Sequence, residues 1–480
     1  MKRENKILIG IFIIALLIRM VFVFSSPVKI WDETVYSNLG YDLSKNFLEY
    51  SLRGSGWSDF IPSGGDSNYS WPKMGARAPL LPYLISIFYL FHLDFLINFL
   101  MALFGAISVI LVYSLGKKLF DKKVGTISAL FFALVPLHVV SSAKIFTGTL
   151  FTFFVLLTFL SFWKGYEEDN KKHKILFGVF LALALLSRYT ALWLAPIFLF
   201  YFLIRDKSLK FLKDRYLWYA ILAFFLILVP WFFYGFFEYG NIFGGFIHGS
   251  KAASYWGGTQ SWHFFFDYWW SMFSALGIIF IFALVSIFYK KDYFKKEIYF
   301  ILLGVIVLMG FSIYMPHKEG RYILFVVPGI SILTGYFVNS FIKYKKIFIV
   351  GIVVIMILSL GLQFNSSIKN SYTDSNKCFL ESMNFLKNVD AESVVVTDES
   401  PVVYYYTKIE TRWYPYSWDL EVVEDMHLGY PGREIYILFG ESVSKTGVTN
   451  EQMKSDLEGN FEKVFSCEKG SVFSSIYRIN

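Results

Sequence analysis

Charge is what this sequence has least of. Asp, Glu, Lys and Arg make up 17% of its 480 residues, against 55% hydrophobic and 21% aromatic, which is far from the balance of a soluble globular protein. Cysteine is nearly absent: Cys378 and Cys467 are the only two, and no Cys/His set has zinc-site spacing. No Walker phosphate-binding motif occurs, which argues against ATP-driven transport by this chain. Internal repeats and low-complexity linkers are missing as well.

What the chain has instead is a succession of apolar runs, each about 18 residues or more and so long enough to cross a bilayer core as a helix. Spans at 7–24, 96–116, 124–141, 148–163, 175–189, 190–204, 216–238, 264–289, 297–315, 322–341 and 347–363 give eleven crossings. The first run follows a basic start, "MKRENK", as a secretory signal would. It is long for a signal core and lacks a small-x-small cleavage site, so it reads as a transmembrane helix. The formal net charge of +8 is informative through its location. "MKRENK", "GKKLFDKK", "NKKHK", "RDKSLKFLKDR", "KKDYFKK" and "KYKK" all fall on one side of an eleven-span arrangement, which the positive-inside rule makes the cytoplasm. Basicity here orients the chain and is no footprint for nucleic acid.

Residues 25–95, 239–262, 316–321 and everything after 364 then lie outside. Within the first outer loop, "RAPLLPYLISIFYLF" (77–91) is apolar but short and proline-marked, and reads as a helix in the outer interface. The expected domains are a membrane part, 1–364, and a small extracytoplasmic α/β domain, 365–480. In the latter "CFLESMNFLKNV" patterns as a helix, while "SVVVTD", "VVYYY", "EIYILFG" and "SSIYRI" read as strands. Both cysteines fall in this exported tail, where a disulfide can persist; two unpaired buried thiols are the alternative.

Charges near membrane level are costly, so those present need a reason. Four outer stretches concentrate them: "WDETVY" with Asp32, Glu33 and Tyr36; "KMGARAPL" with Arg77; "SRYTAL" with Arg188 and Tyr189; and "MPHKEGRY" with His317, Lys318, Glu319, Arg321 and Tyr322. Arg19 sits inside the first span. Asp32 and Tyr36 are one helical turn apart and share a face if the stretch is helical. A carboxylate at a membrane surface can act as general base for a hydroxyl; it can also simply cap a helix. The cations of "HKEGRY" can hold a phosphate or snorkel at the interface, although Arg188 has little room to snorkel. Trp256, Trp262 and His263 suit a sugar ring or an isoprenoid chain, or form part of an aromatic belt.

Taken together, the embedded Arg, "WDETVY", "ARAPLLPYL", "SRYTALWLAP" and "HKEGRYILFVVPG" resemble the lipid-dependent glycosyltransferases of GT-C fold, in the branch of dolichyl-phosphate-mannose protein mannosyltransferases and bacterial aminoarabinose transferases. The resemblance covers roughly residues 1–340. It implies an α-helical polytopic membrane protein that transfers a sugar, with inversion, from a polyprenyl-phosphate carrier to a protein, lipid or glycan acceptor outside the cytoplasm. Asp32 matches the family's catalytic acid position, with Glu33 beside it, and Lys318 and Arg321 match positions near the donor phosphate. Arg188 joins them, with His317 and Arg77 in second rank, and Tyr36, Tyr189, Tyr322, Trp256 and His263 as candidate substrate contacts. One departure is plain: where many relatives carry an acid after the third span, this chain reads Thr147, Gly148 and Thr149, which bears on any divalent metal or second carboxylate. No cofactor is expected to be obligatory besides the lipid-linked sugar.

The chemistry supports the same division of labour. A glycosidase needs a second carboxyl group as acid because its leaving group is an alkoxide, whereas a lipid phosphate departs without protonation. One base and a set of cations suffice. A lipid-linked-sugar flippase, the rival from another class, would spread polar residues through the membrane depth; here they gather at one face. A non-catalytic acceptor-binding subunit is the third reading.

Overall fold

The computed structural model describes residues 3–26, 28–52, 54, 77–255, 259–341, 343–413, 426–440, 450–470 and 472–479. The chain forms two compact units. The first comprises Met1–Phe24, Gly75–Leu81 and Phe95–Asn365; the second comprises Ser25–Met74, Pro82–Asp94 and Ser366–Asn480. The first outer loop therefore groups largely with the tail.

In the first unit, α1 (Arg3–Phe24) opens a bundle of apolar helices. Among the described residues eight helices are long and apolar enough to span a membrane, and a bent pair, Lys122–Leu134 with Pro136–Ser142, makes a ninth. This is a multi-pass membrane protein. The other two expected crossings come out shorter, for local reasons. Lys171–Ser187 has 17 residues and stops where Arg188 turns extended. The 264–289 segment breaks at Ser274, whose φ of 52° is left-handed, so its apolar helix is Ala275–Tyr289. Close helix approach rests on small residues, as membrane packing requires. A Cβ on Gly178 would stand 1.9 Å from the Ala220 carbonyl oxygen, so only glycine lets Lys171–Ser187 lie against Arg215–Tyr239.

In the second unit, α2 (Trp31–Lys45) buries nearly its whole length. The helix Leu80–Leu90 has 11 residues, about 16 Å at 1.5 Å per residue, shorter than a crossing needs. The tail builds a five-stranded mixed sheet in the order β2-β1-β3-β5-β4, with β1 (Val394–Val396), β2 (Glu410–Arg412), β3 (Ile435–Gly440), β4 (Glu462–Lys469) and β5 (Val472–Ile479). β1 pairs in parallel with β2 and β3, while β5 runs antiparallel to β3 and β4. The valine run of β1, flanked by β2 and β3, is buried on both faces.

The helix Asp374–Leu386 forms as its pattern predicts, capped by Thr373. "VVYYY" does not form a strand: it lies in the helix Ser400–Thr407, with Pro401 in the first turn. Proline's fixed φ suits that position and its missing N–H costs nothing there.

Cys378, in the helix Asp374–Leu386, and Cys467, on β4, are joined as a disulfide closing 89 residues of chain. In the chain-entropy account such a loop stabilises by about 4–5 kcal/mol. Alkylation under denaturing, non-reducing conditions should leave both thiols unmodified by intact mass. Replacing both by Ser should lower the tail's unfolding temperature; two labelled thiols without reductant would contradict the bridge.

Candidate active site

In the first unit the cationic stretches converge on one turn. The helix Lys296–Tyr314 ends, and the chain re-enters as a 3-10 turn from Gly320 to Val326. Glu319, just before that turn, is the acceptor at its centre. It accepts from Arg321 Nη2 at 2.8 Å and from the Tyr322 hydroxyl at 3.2 Å, meets His317 Nε2 at 3.3 Å, and lies at ion-pair distance, 2.7 Å, from Arg321 Nε.

The Arg188 guanidinium lies over the Tyr322 ring at 4.5 Å, and that of Arg321 lies over Phe146 at 4.2 Å. Arg188 reaches this place because the helix before it ends at Ser187 and its own backbone is extended. A Cβ on Gly148 would stand 3.7 Å from the Arg321 carbonyl oxygen and 3.9 Å from Arg188 Nη1. The departure at 147–149 thus falls beside both arginines, and Gly148 brings no carboxylate to them.

Lys318 is buried, yet its ammonium donates to the Gln260 carbonyl at 2.9 Å while its N–H meets Gln260 Oε1 at 2.6 Å. It ties the loop before Trp262 to the turn. Tyr189 donates its hydroxyl to the Arg77 carbonyl at 3.3 Å and packs on Phe246, so "SRYTAL" and "ARAPL" meet through backbone. His263 is half-exposed and paired with Asp267 at 2.7 Å. Trp262 is exposed, and Trp256 lies outside the described residues.

In the second unit, α2 begins at Trp31 with Ile30 as N-cap, so Asp32 does not cap the helix. Glu33 does the local work: its Oε2 accepts the Ile30 N–H at 3.3 Å and its Oε1 pairs with Lys29 at 3.6 Å. Both carboxylates and Tyr36 are buried, with 7%, 1% and 6% exposure. The negative side chains lie in the first turn, where the helix dipole favours them.

The tail fastens this helix along its length. Tyr406 Oη accepts the Lys29 N–H at 2.9 Å, and Asn38 Nδ2 donates to the Pro401 carbonyl at 2.7 Å. Tyr404 donates to Asp42 Oδ1 at 3.0 Å, and the Trp31 and Trp413 rings meet at 5.2 Å. Lys408 reaches Asn38 Oδ1 at 3.4 Å and lies over the Tyr41 ring at 4.4 Å. Sequence reasoning missed Asp42, Tyr404, Tyr406 and Lys408. The signal available was a tyrosine run, "YYY", beside a lysine, too common a pattern to single out.

Residues 76–234 match the family model described as dolichyl-phosphate-mannose-protein mannosyltransferase. Among solved structures, the chain resembles ArnT from Cupriavidus metallidurans bound to undecaprenyl phosphate, with TM-score 0.73 at 12% identity over 98% of each chain. It also resembles the archaeal oligosaccharyltransferase AglB from Archaeoglobus fulgidus in complex with an inhibitory peptide and a dolichol-phosphate, with TM-score 0.60 at 14% identity over 98% of this chain and 74% of that one. No curated protein sequence matches. The chain has the GT-C fold of these glycosyltransferases.

Burial raises the Asp42 carboxyl to about 6 and lowers the Lys408 ammonium to about 8. Folded protein therefore holds a proton on Asp42 between about pH 4 and 6 that the unfolded chain has lost. This contribution to stability is full below about pH 4 and is lost as pH rises through 6. The Lys408 contribution runs the other way, present at high pH and lost as pH falls through 8. Asp42→Asn mimics the protonated form, so its unfolding temperature should match wild type at pH 3 and exceed it at pH 7. An offset equal at both pH values would contradict the burial of that charge.

Proposed function

We propose that the chain is an integral membrane glycosyltransferase that moves a sugar from a polyprenyl-phosphate donor to a protein, lipid or glycan acceptor on the extracytoplasmic face, with inversion at the anomeric carbon. The observation that carries this reading is the arginine pair: Arg188 and Arg321 lie over Tyr322 and Phe146, and Gly148, in the first turn of the helix Thr147–Phe162, stands beside both. Planar guanidiniums held on aromatic faces are suited to a phosphate, which they bind by paired hydrogen bonds. The neighbours' lipid phosphates, undecaprenyl phosphate with ArnT and dolichol-phosphate with AglB, support this donor class, and the peptide with AglB supports a peptide acceptor.

In this reading Asp32 takes the proton from the acceptor hydroxyl as that oxygen attacks the anomeric carbon. The bond to the lipid phosphate breaks on the opposite side, so one displacement inverts the centre. Arg188 and Arg321 take up charge on the leaving phosphate, and Arg321 exchanges part of its pairing with Glu319 for it. Glu33, engaged by Lys29 and the Ile30 amide, holds the first turn in place. Lys318 and His317 support the turn, while Tyr36, Tyr189, Tyr322, Trp262 and His263 offer faces for sugar or lipid. The donor phosphate is met by cationic side chains, so transfer needs no obligatory divalent metal and should survive chelation. The N-terminus is cytoplasmic and the tail is outside.

Asp32→Asn keeps size and removes proton acceptance, so turnover should fall roughly 100- to 10,000-fold with donor affinity little changed. Arg321→Ala should weaken both, because a cation at the phosphate acts on ground and transition states alike. Near-normal transfer by Asp32→Asn would contradict the assignment of the base. Orientation is tested separately: a reporter active only in the cytoplasm, fused after Asn480, should stay silent, and an active one would contradict the placement of the tail.

A further inference from the structure

Arg19 is fully buried in α1, within an apolar span, and no carboxylate explains it among its described contacts. Its Nη1 donates to the Ala15 carbonyl at 2.8 Å and to the Ala133 carbonyl at 3.3 Å, and its Nη2 donates to His138 Nδ1 at 2.7 Å. Arginine has no acceptor, so Nδ1 must accept and the ring proton of His138 sits on Nε2. The target is a break. Lys122–Leu134 and Pro136–Ser142 meet at 60°, where Pro136 supplies no N–H. Beyond it the amides of His138 and Val139 both turn to the Val135 carbonyl, at 3.1 and 3.0 Å. The Ala133 carbonyl, in the last turn before the break, accepts from Arg19 across it.

We propose that Arg19 is a positioning residue for the arginine site: by bridging the break it sets the course of Pro136–Ser142 and of the segment that follows. Two contacts carry that course to the site. Leu137 packs against Gly320, where an added Cβ would lie 3.6 Å from its Cδ1, and Phe146, four residues past Ser142, lies under the Arg321 guanidinium at 4.2 Å. Gly105 shows how closely the brace is fitted. A Cβ there would stand 2.8 Å from Arg19 Nε and 2.7 Å from Ser142 Cβ, so glycine is what lets three helices meet around the guanidinium.

The role of the brace in catalysis rests on the donor reading above, so two readouts are needed on the full-length protein. Amide hydrogen exchange over residues 137–146 reads the brace itself, and affinity for a polyprenyl phosphate carrying no sugar reads the site. Arg19→Met should speed exchange in that segment selectively. It should also raise the donor KM and the polyprenyl phosphate Kd about tenfold, with kcat at saturating donor nearly kept. A merely structural role would instead lower the active fraction and leave KM unmoved. Arg19→Lys, which retains one donor group, should recover part of the affinity. Gly105→Ala, which keeps the charge and crowds it, should reproduce the donor defect by an independent route should Arg19→Met fail to fold. Unchanged exchange, or unchanged KM and Kd in both Arg19→Met and Gly105→Ala, would overturn the brace. A wild-type protein that binds no polyprenyl phosphate would overturn the donor reading and leave the exchange result to decide the brace by itself.

Discussion

A charge taken into a membrane protein must be met by the protein itself, and the rest of this structure follows from how locally that is done. An unmet Arg, Lys or Asp near mid-membrane costs roughly 2.5–3.5 kcal/mol on insertion scales, and a hydrogen bond to a charged group returns about 1.5–3 kcal/mol. One or two good partners therefore decide whether a charge is tolerated. Arg321 finds Glu319 two residues away; Glu33 finds Lys29 and the Ile30 amide within four; Arg19 finds the Ala15 carbonyl one turn below. Only after these local pairings do the long-range contacts, to Gln260, Ala133 or Tyr406, fix where each group points.

Local pairing also shapes the chemistry. Had an acid stood at Gly148, it would lie beside Arg188 Nη1 and compete for the guanidinium with the phosphate of the proposed donor. With glycine there, the Arg188 guanidinium lies over the Tyr322 face with no acid at position 148 beside it. The carboxylate pair is divided in the same manner. Glu33 is engaged at the helix start by the Ile30 amide and by Lys29, and Asp32 lies buried beside it in the same turn.

The membrane character, most of the spans and the two charged motifs were legible because they are written locally: long apolar runs, a helical "DETVYSNLGYDL", and cations clustered in a short turn. Three features were not. Pro136 bends a span whose apolar run continues through it. "VVYYY" has the composition of a strand, and only its start at Ser400-Pro401 and its packing on α2 make it a helix. The fastening of α2 by Tyr404, Tyr406 and Lys408 joins residues more than 360 apart in sequence, and nothing within either stretch announces the other. The split between Asp32 and Glu33 was invisible for a simpler reason, since both suit a first turn and only the position of the N-cap, Ile30, tells them apart.

The proposed transfer stands or falls on whether a lipid phosphate is the leaving group. Detergent-solubilised protein should convert a polyprenyl-phosphate sugar and a hydroxyl-bearing acceptor into free polyprenyl phosphate and a product of inverted anomeric configuration, read by mass spectrometry and NMR. Intact donor after incubation with candidate peptide, lipid and glycan acceptors, or a product of retained configuration, would contradict it.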